Sequence, residues 1–173
     1  MTVHTLQCFD YVNQPYPRVK QLVHTAPDEV FPRSAEIAGH VATLRMRLGG
    51  VEIGADVAVR VVDVASSVAY ERPATVLTFE LQPASHPRLF PSMTGTLVMF
   101  ALSPDETQLE LSGTYRPPMG PFGELVDAAV AHRVAEASVA GLLRDVATGL
   151  RRRLAAAAAA PAAAPAPAQR VPA

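Results

Sequence analysis

Tryptophan is absent from this 173-residue chain, aromatic residues make up 6% of it, and there is a single cysteine, Cys8. One thiol cannot close an intramolecular disulfide, which excludes the stapled scaffold of small secreted domains. Charge is also scarce: 18% of residues are charged, and 15 basic against 16 acidic side chains leave no broad electrostatic footprint for nucleic acid. Lys20 is the only lysine, so the basic content is almost all arginine. The opening residues MTVHTLQCFD lack a basic stretch followed by an apolar run, so no signal peptide is expected. The longest apolar run, Leu154 to Ala168, is too short to span a bilayer and is broken by Pro161, Pro165 and Pro167. A cytoplasmic protein that neither inserts into membranes nor binds nucleic acid is the expectation.

What is present is apolar and patterned. Hydrophobic residues account for 49% of the chain, enough to build a core. The last 19 residues stand apart, with 12 Ala and 4 Pro. Residues 1–154 are therefore expected to form one domain, which at this size buries roughly 70% of its unfolded surface, and residues 155–173 a disordered Ala/Pro-rich tail.

Local periodicity divides the domain. His4 to Val12 reads as a strand, with Phe9 and Tyr11 on one parity and Leu6, Cys8 and Val12 on the other. Pro17 and Pro27 each suit the start of a short helix, the second carrying Asp28 and Glu29 in its first turn. From His40 the period becomes two. Two alternating runs flank Gly49-Gly50, a hairpin signal, and further strands are expected over 75–82, 94–102 and 108–115. The run from Thr94 to Leu102 is apolar on both parities, predicting cover on both faces. Pro117-Pro118 ends the sheet, and Phe122 to Leu154 reads as one long amphipathic helix.

In that helix Phe122, Leu125, Val126, Ala129, Val130 and Ala137 form a broad first-half stripe, which drifts to Val139, Leu143, Val146, Leu150 and Leu154. Arg133 falls at the centre of the first-half stripe, with Glu136 on the same side. A charged pair on a core-facing stripe is costly unless paired, so Arg133 is a candidate anchor for a ligand carboxylate or carbonyl, and Glu136 its support. The plainer reading is that the two satisfy each other, or that Arg133 reaches the rim. Tyr115 continues the apolar parity of its strand and is a candidate orienting donor; a core tyrosine with a satisfied hydroxyl is the alternative. His132 lies one step off the stripe, and Phe90 sits in the proline-rich loop 83–91 with His86. Arg45, Arg47 and Arg60 fall on the polar parity, and the Arg151 to Arg153 run suits a helix C-terminus. The five histidines show no HxH, HxxxH or HExxH spacing, and Cys8 has no CxxC partner, so neither metal nor cofactor is expected.

Strand, two short helices, antiparallel strands and a long final helix, in that order, resemble the helix-grip fold of the START-like (SRPBCC) superfamily. Leu89-Phe90-Pro91 with Gly95, Gly113-Thr114-Tyr115-Arg116-Pro117-Pro118-Met119-Gly120, and His132-Arg133 are similar to stretches of its bacterial members. The resemblance spans Thr5 to Leu154. It implies an α+β fold: a curved antiparallel sheet wrapped around the long C-terminal helix, with two short helices after the first strand and a cavity between sheet and helix. The function it implies is binding of an apolar lipid-, polyketide- or aromatic-like molecule, with Arg133, Tyr115, Glu136, Phe122, Val126, Ala129, Phe90 and His132 as lining or orienting residues. Two alternatives stay open: a cyclase- or aromatase-like enzyme acting on a poly-carbonyl substrate, and a non-catalytic interaction module with a filled core, such as a homodimer built through a sheet edge.

Overall fold

A computed structural model describes residues 4–31, 41–48, 51–83, 92–115 and 128–159. The elements are β1 (His4–Val12), α1 (Tyr16–Thr25), a 3-10 turn (Pro27–Glu29), β2 (Val41–Leu48), β3 (Val51–Ala69), β4 (Arg72–Pro83), β5 (Met93–Ser103), β6 (Glu106–Tyr115) and α2 (Ala128–Ala159). The six strands form one antiparallel sheet in the order β1-β6-β5-β4-β3-β2.

The period of two dictates which face is buried. In β6 Thr107, Leu109, Leu111, Gly113 and Tyr115 are buried while their neighbours are not, as the alternation requires. β1 behaves alike: Leu6 and Val12 are buried, and Phe9 and Tyr11 point to the outer face. α1 begins with Pro17 in its first turn, where a missing N–H costs nothing, and buries Tyr16, Val19 and Val23 at helical spacing. Its partner is the 3-10 turn rather than a second full α-helix within the described residues.

Curvature comes from stagger and a bulge. β3 pairs with β2 over Val51–Ala58 and with β4 over Val57–Ala69, so its two neighbours scarcely overlap. A register shift between Val61 and Asp63 lets the strand bend. The sheet thus curls until both edge strands, β1 and β2, meet α2. The helix buries Ser138, Val139, Leu142, Leu143, Val146, Ala147, Leu150 and Leu154 against it. Each buried Leu or Val there contributes roughly 1.5–3 kcal/mol.

Three expectations change. The first-half helix stripe does not hold where it is described: Arg133 and Ala137 are exposed, and the buried face runs back from Val139 through Ala135. β5 is not covered on both faces, since Leu102 is 40% exposed and Val98 only half-buried; Phe100 is buried because Tyr70 lies against it, ring centroids 5.2 Å apart. β3 runs on to Ala69, well past the Val61 that its alternation suggests.

α2 is described to Ala159, and Leu154 is the last buried side chain among its described residues. Residues 160–173, the loop 84–91 with Phe90, and Phe122 and Val126 lie outside the described residues.

Candidate functional site

The two ends of the sheet differ in how their polar groups are used. At the α1 end the Tyr16 hydroxyl and Thr75 Oγ1 share a buried 3.0 Å hydrogen bond, and Thr107 Oγ1 donates to the Gln14 carbonyl at 2.8 Å. Arg18 donates to the Leu154 carbonyl at 3.2 Å, tying α1 to the end of the long helix. Arg153 meets Glu29 at 2.6 Å, and Arg151 reaches Asp10 at 3.3 Å and the Tyr11 carbonyl. That end is closed by its own side chains.

The opposite end carries Tyr115. Alternation along β6 sets it on the inner face, 5% exposed, at the last position of the strand. Its cross-strand partners are His4 on β1 and Met93 on β5. The His4 ring stacks on it with centroids 5.5 Å apart and planes 29° apart. Glu136 approaches from α2. Burial first, and the Glu136 carboxylate second, push the Tyr115 phenol above its ordinary pKa. The phenol therefore stays protonated at neutral pH and keeps its capacity to donate. Glu136 itself is exposed, and His4 is half-buried.

Geometry joins the two ends. Residues 136 to 154 of α2 rise about 27 Å, and β6 from Thr107 to Tyr115 advances about 27 Å. The helix therefore runs the length of the strand, from the Tyr115 end to the α1 end. Between them the inner face is apolar: Leu6, Leu77, Phe79, Leu97, Met99, Leu109 and Leu111 are all buried.

Of the residues expected at a site, Tyr115 and Glu136 come together. Arg133, one turn before Glu136, is exposed rather than centred on a core-facing stripe, so the costly buried pair that singled it out does not exist. Glu136 is likewise a rim residue. Ala129 and His132 lie in α2. His4 escaped notice in the sequence, because only the β1–β6 register reveals that it stands opposite Tyr115. Among the described residues no three His, Cys, Asp or Glu side chains are grouped to hold a metal ion. No described helix is long and apolar enough to cross a membrane.

Strand order, the helical segments between β1 and β2, and a final helix touching both sheet edges decide the architecture. The fold is of the helix-grip α+β type. No protein-family model matches this chain, and no curated protein matches it. Solved structures similar to this chain include the Zhui aromatase/cyclase from Streptomyces sp. R1128, at 17% identity and TM-score 0.48, covering 90% of this chain and 98% of that one. Norcoclaurine synthase from Thalictrum flavum aligns at 10% identity and TM-score 0.48, over 90% and 88% of the two chains. A START superfamily protein from Mycobacterium smegmatis aligns at 17% identity and TM-score 0.43, over 89% and 99%. These likenesses concern the fold alone.

Proposed function

We propose that the chain binds an apolar small molecule between the sheet and the Tyr115-proximal half of α2. The observation that carries this reading is the placement of Tyr115. It is a protonated donor at the end of the sheet not closed by α1, with His4 and Glu136 beside it and the apolar middle of the inner face next to it. Apolar burial supplies most of the affinity at about 25 cal/mol per Å², reduced by the ordering costs of association, and a few polar groups orient the ligand. A ligand with a long apolar body and one hydrogen-bond acceptor fits this division of labour, and lipid-, polyketide- and aromatic-like molecules all qualify. In this reading Phe122, Val126, Ala129 and Phe90 line the site, and Arg133 and His132 stand at its rim.

The test is native mass spectrometry of the purified full chain for co-purified apolar molecules, followed by thermal-shift titration with those found. Tyr115→Phe should weaken binding by roughly 2- to 12-fold, the worth of one net hydrogen bond. No bound species and no thermal shift across an apolar library would refute the reading.

A second reading, a cyclase- or aromatase-like enzyme acting on a poly-carbonyl chain, is favoured by the same cluster. A phenol donor, an imidazole and a carboxylate converge there, and positioning plus proton movement is what such chemistry asks of a protein. Turnover of a poly-carbonyl thioester analogue that is lost in both Tyr115→Phe and His4→Gln would separate it from simple binding.

A further inference from the structure

The outer face of the sheet holds an aromatic strip that the proposed ligand site does not use. An antiparallel sheet with one face on the core is expected to be polar on the other. Here Phe9 is 63% exposed, Tyr11 41% and Tyr70 67%. The register makes them neighbours: Phe9 lies opposite Glu110, and Tyr11 opposite Gln108, which in turn faces Phe100. Tyr70 reaches over from the β3–β4 turn, meets the Phe100 ring tilted at 51° with centroids 5.2 Å apart, and donates its hydroxyl to Glu110 at 3.0 Å. The backbone there is held against its preference. Tyr70 and Glu71 both have positive φ, 50° and 61°, in a two-residue turn that normally takes Asn or Gly. The left-handed conformation costs about 1–2 kcal/mol per residue. A strained turn presenting an exposed aromatic ring is a poor economy for folding alone.

We propose that this strip, Phe9, Tyr11 and Tyr70, the last seated on the buried Phe100, is the docking surface for the chain's own proline-rich segment, residues 160–173. Proline-rich segments prefer the extended polyproline II form, lose little entropy on binding, and are recognised by aromatic-lined surfaces. The segment carries four prolines, no acid and one cation, Arg170; the strip carries a central carboxylate, Glu110, which accepts hydrogen bonds from Tyr70 and Gln7. Charge is therefore complementary. Position is favourable too. Arg151 contacts Asp10 and the Tyr11 carbonyl, so the last two turns of α2 leave beside the β1 edge of the strip. From Ala159, 14 further residues span up to about 43 Å in polyproline II form, whereas β1, β6 and β5 together cross only about 10–15 Å. Tethering raises the local concentration of the segment into the millimolar range, so even a weak contact is about half-occupied.

A nitroxide placed on the segment tests this in the full chain. The label is attached at Ala168→Cys in a Cys8→Ser background, and amide signals are read by NMR. The Phe9, Tyr11 and Tyr70 amides should lose at least about half their intensity, as half occupancy predicts. Phe9→Ala with Tyr70→Ala, both at exposed positions, should abolish the loss, and glycine at all four tail prolines should weaken it several-fold. Unchanged intensities, or a loss that survives Phe9→Ala with Tyr70→Ala, would overturn the proposal. So would a loss arising only between spin-labelled and isotope-labelled copies mixed together, which would make a second molecule's segment the occupant.

Discussion

A single methyl group added at Gly95 should test how tightly the inner face is packed. Gly95 lies on the inner face of β5, between Phe79 on β4 and Gly113 on β6. A Cβ there would sit 2.6 Å from Phe79 Cζ, 3.1 Å from Phe79 Cε1 and 2.9 Å from the Ser112 carbonyl oxygen. Neither neighbour has room to yield. Ser112 O is backbone in the middle of the ladder, and Phe79 is fully buried with the Phe31 ring 5.0 Å from its own. Overpacking of this kind costs about 1–3 kcal/mol, which for a chain of this size lowers the melting midpoint by roughly 3–10 °C. The sign is decisive: without the clash, Gly→Ala inside a strand stabilises by roughly 0.5–1 kcal/mol. Gly113→Ala supplies the control, because the atom it meets first is the flexible tip of Met93. Thermal and urea melts should therefore rank Gly95→Ala below Gly113→Ala, and both below the parent. Phe79→Leu, costly by itself, should lose less than the additive amount when combined with Gly95→Ala. A Gly95→Ala protein as stable as the parent would show that Phe79 does not occupy this space.

Thr75→Val should cost about 1–3 kcal/mol in urea unfolding, because it strands the buried Tyr16 hydroxyl; adding Tyr16→Phe should recover most of that loss, and failure to do so would deny the hydrogen bond its role. Glu71→Gly should raise stability by up to about 1 kcal/mol by relieving the positive φ, and a destabilised variant would contradict the strain. Burial, then Asp10, pushes the Cys8 thiol up to about 11 from 9.0. Its neutral form is the one the fold favours, so iodoacetamide should react slowly at neutral pH. The stability that Cys8 contributes is level below about pH 9 and is lost as pH rises through about 11; Cys8→Ala should flatten that part of the profile, and an unchanged alkaline slope would refute it.

How legible each element was in the sequence depended on whether two signals agreed. β1 was readable to the residue and β6 to its last residue, Tyr115, because strict alternation ended at a turn or a proline at both; β6 starts two residues earlier, at Glu106, than its alternation suggests. The Gly49-Gly50 hairpin announced β2 and the first half of β3. The second half of β3 was not readable: Val62 to Ala69 is rich in small and polar residues, and Tyr70-Glu71 carries no turn residue, since the turn is strained. Arg133 shows a different failure. The N-terminal part of the helix is apolar on several sides, so a stripe drawn through Phe122, Val126 and Ala129 has no unique direction. Carried forward at 100° per residue it buries Arg133 and Ala137, whereas the face set by Val139, Leu143 and Val146 leaves both exposed. His4 could not be found by composition or spacing at all, since its significance lies in a strand pairing 111 residues away.

The arginine run at the end of α2 connects these pieces. Its charge suits the C-terminal dipole, yet the structure gives it partners: Arg151 on β1, Arg153 on Glu29, with Arg18 returning to the Leu154 carbonyl. The two ion pairs are part-exposed, 40% and 23% for one and 33% and 42% for the other. Each is then worth less than about 1 kcal/mol, and stability is not what they chiefly supply. What they specify is where the helix ends relative to β1 and α1. A helix that is rigid over the 27 Å from Leu154 to Glu136 carries that specification to its other end, and so sets the depth at which Glu136 meets Tyr115. The same contacts hold the last turns of α2 beside the β1 edge of the sheet. The polar ties at one end of the helix therefore position a group that they do not touch, Glu136 beside Tyr115 at the other end.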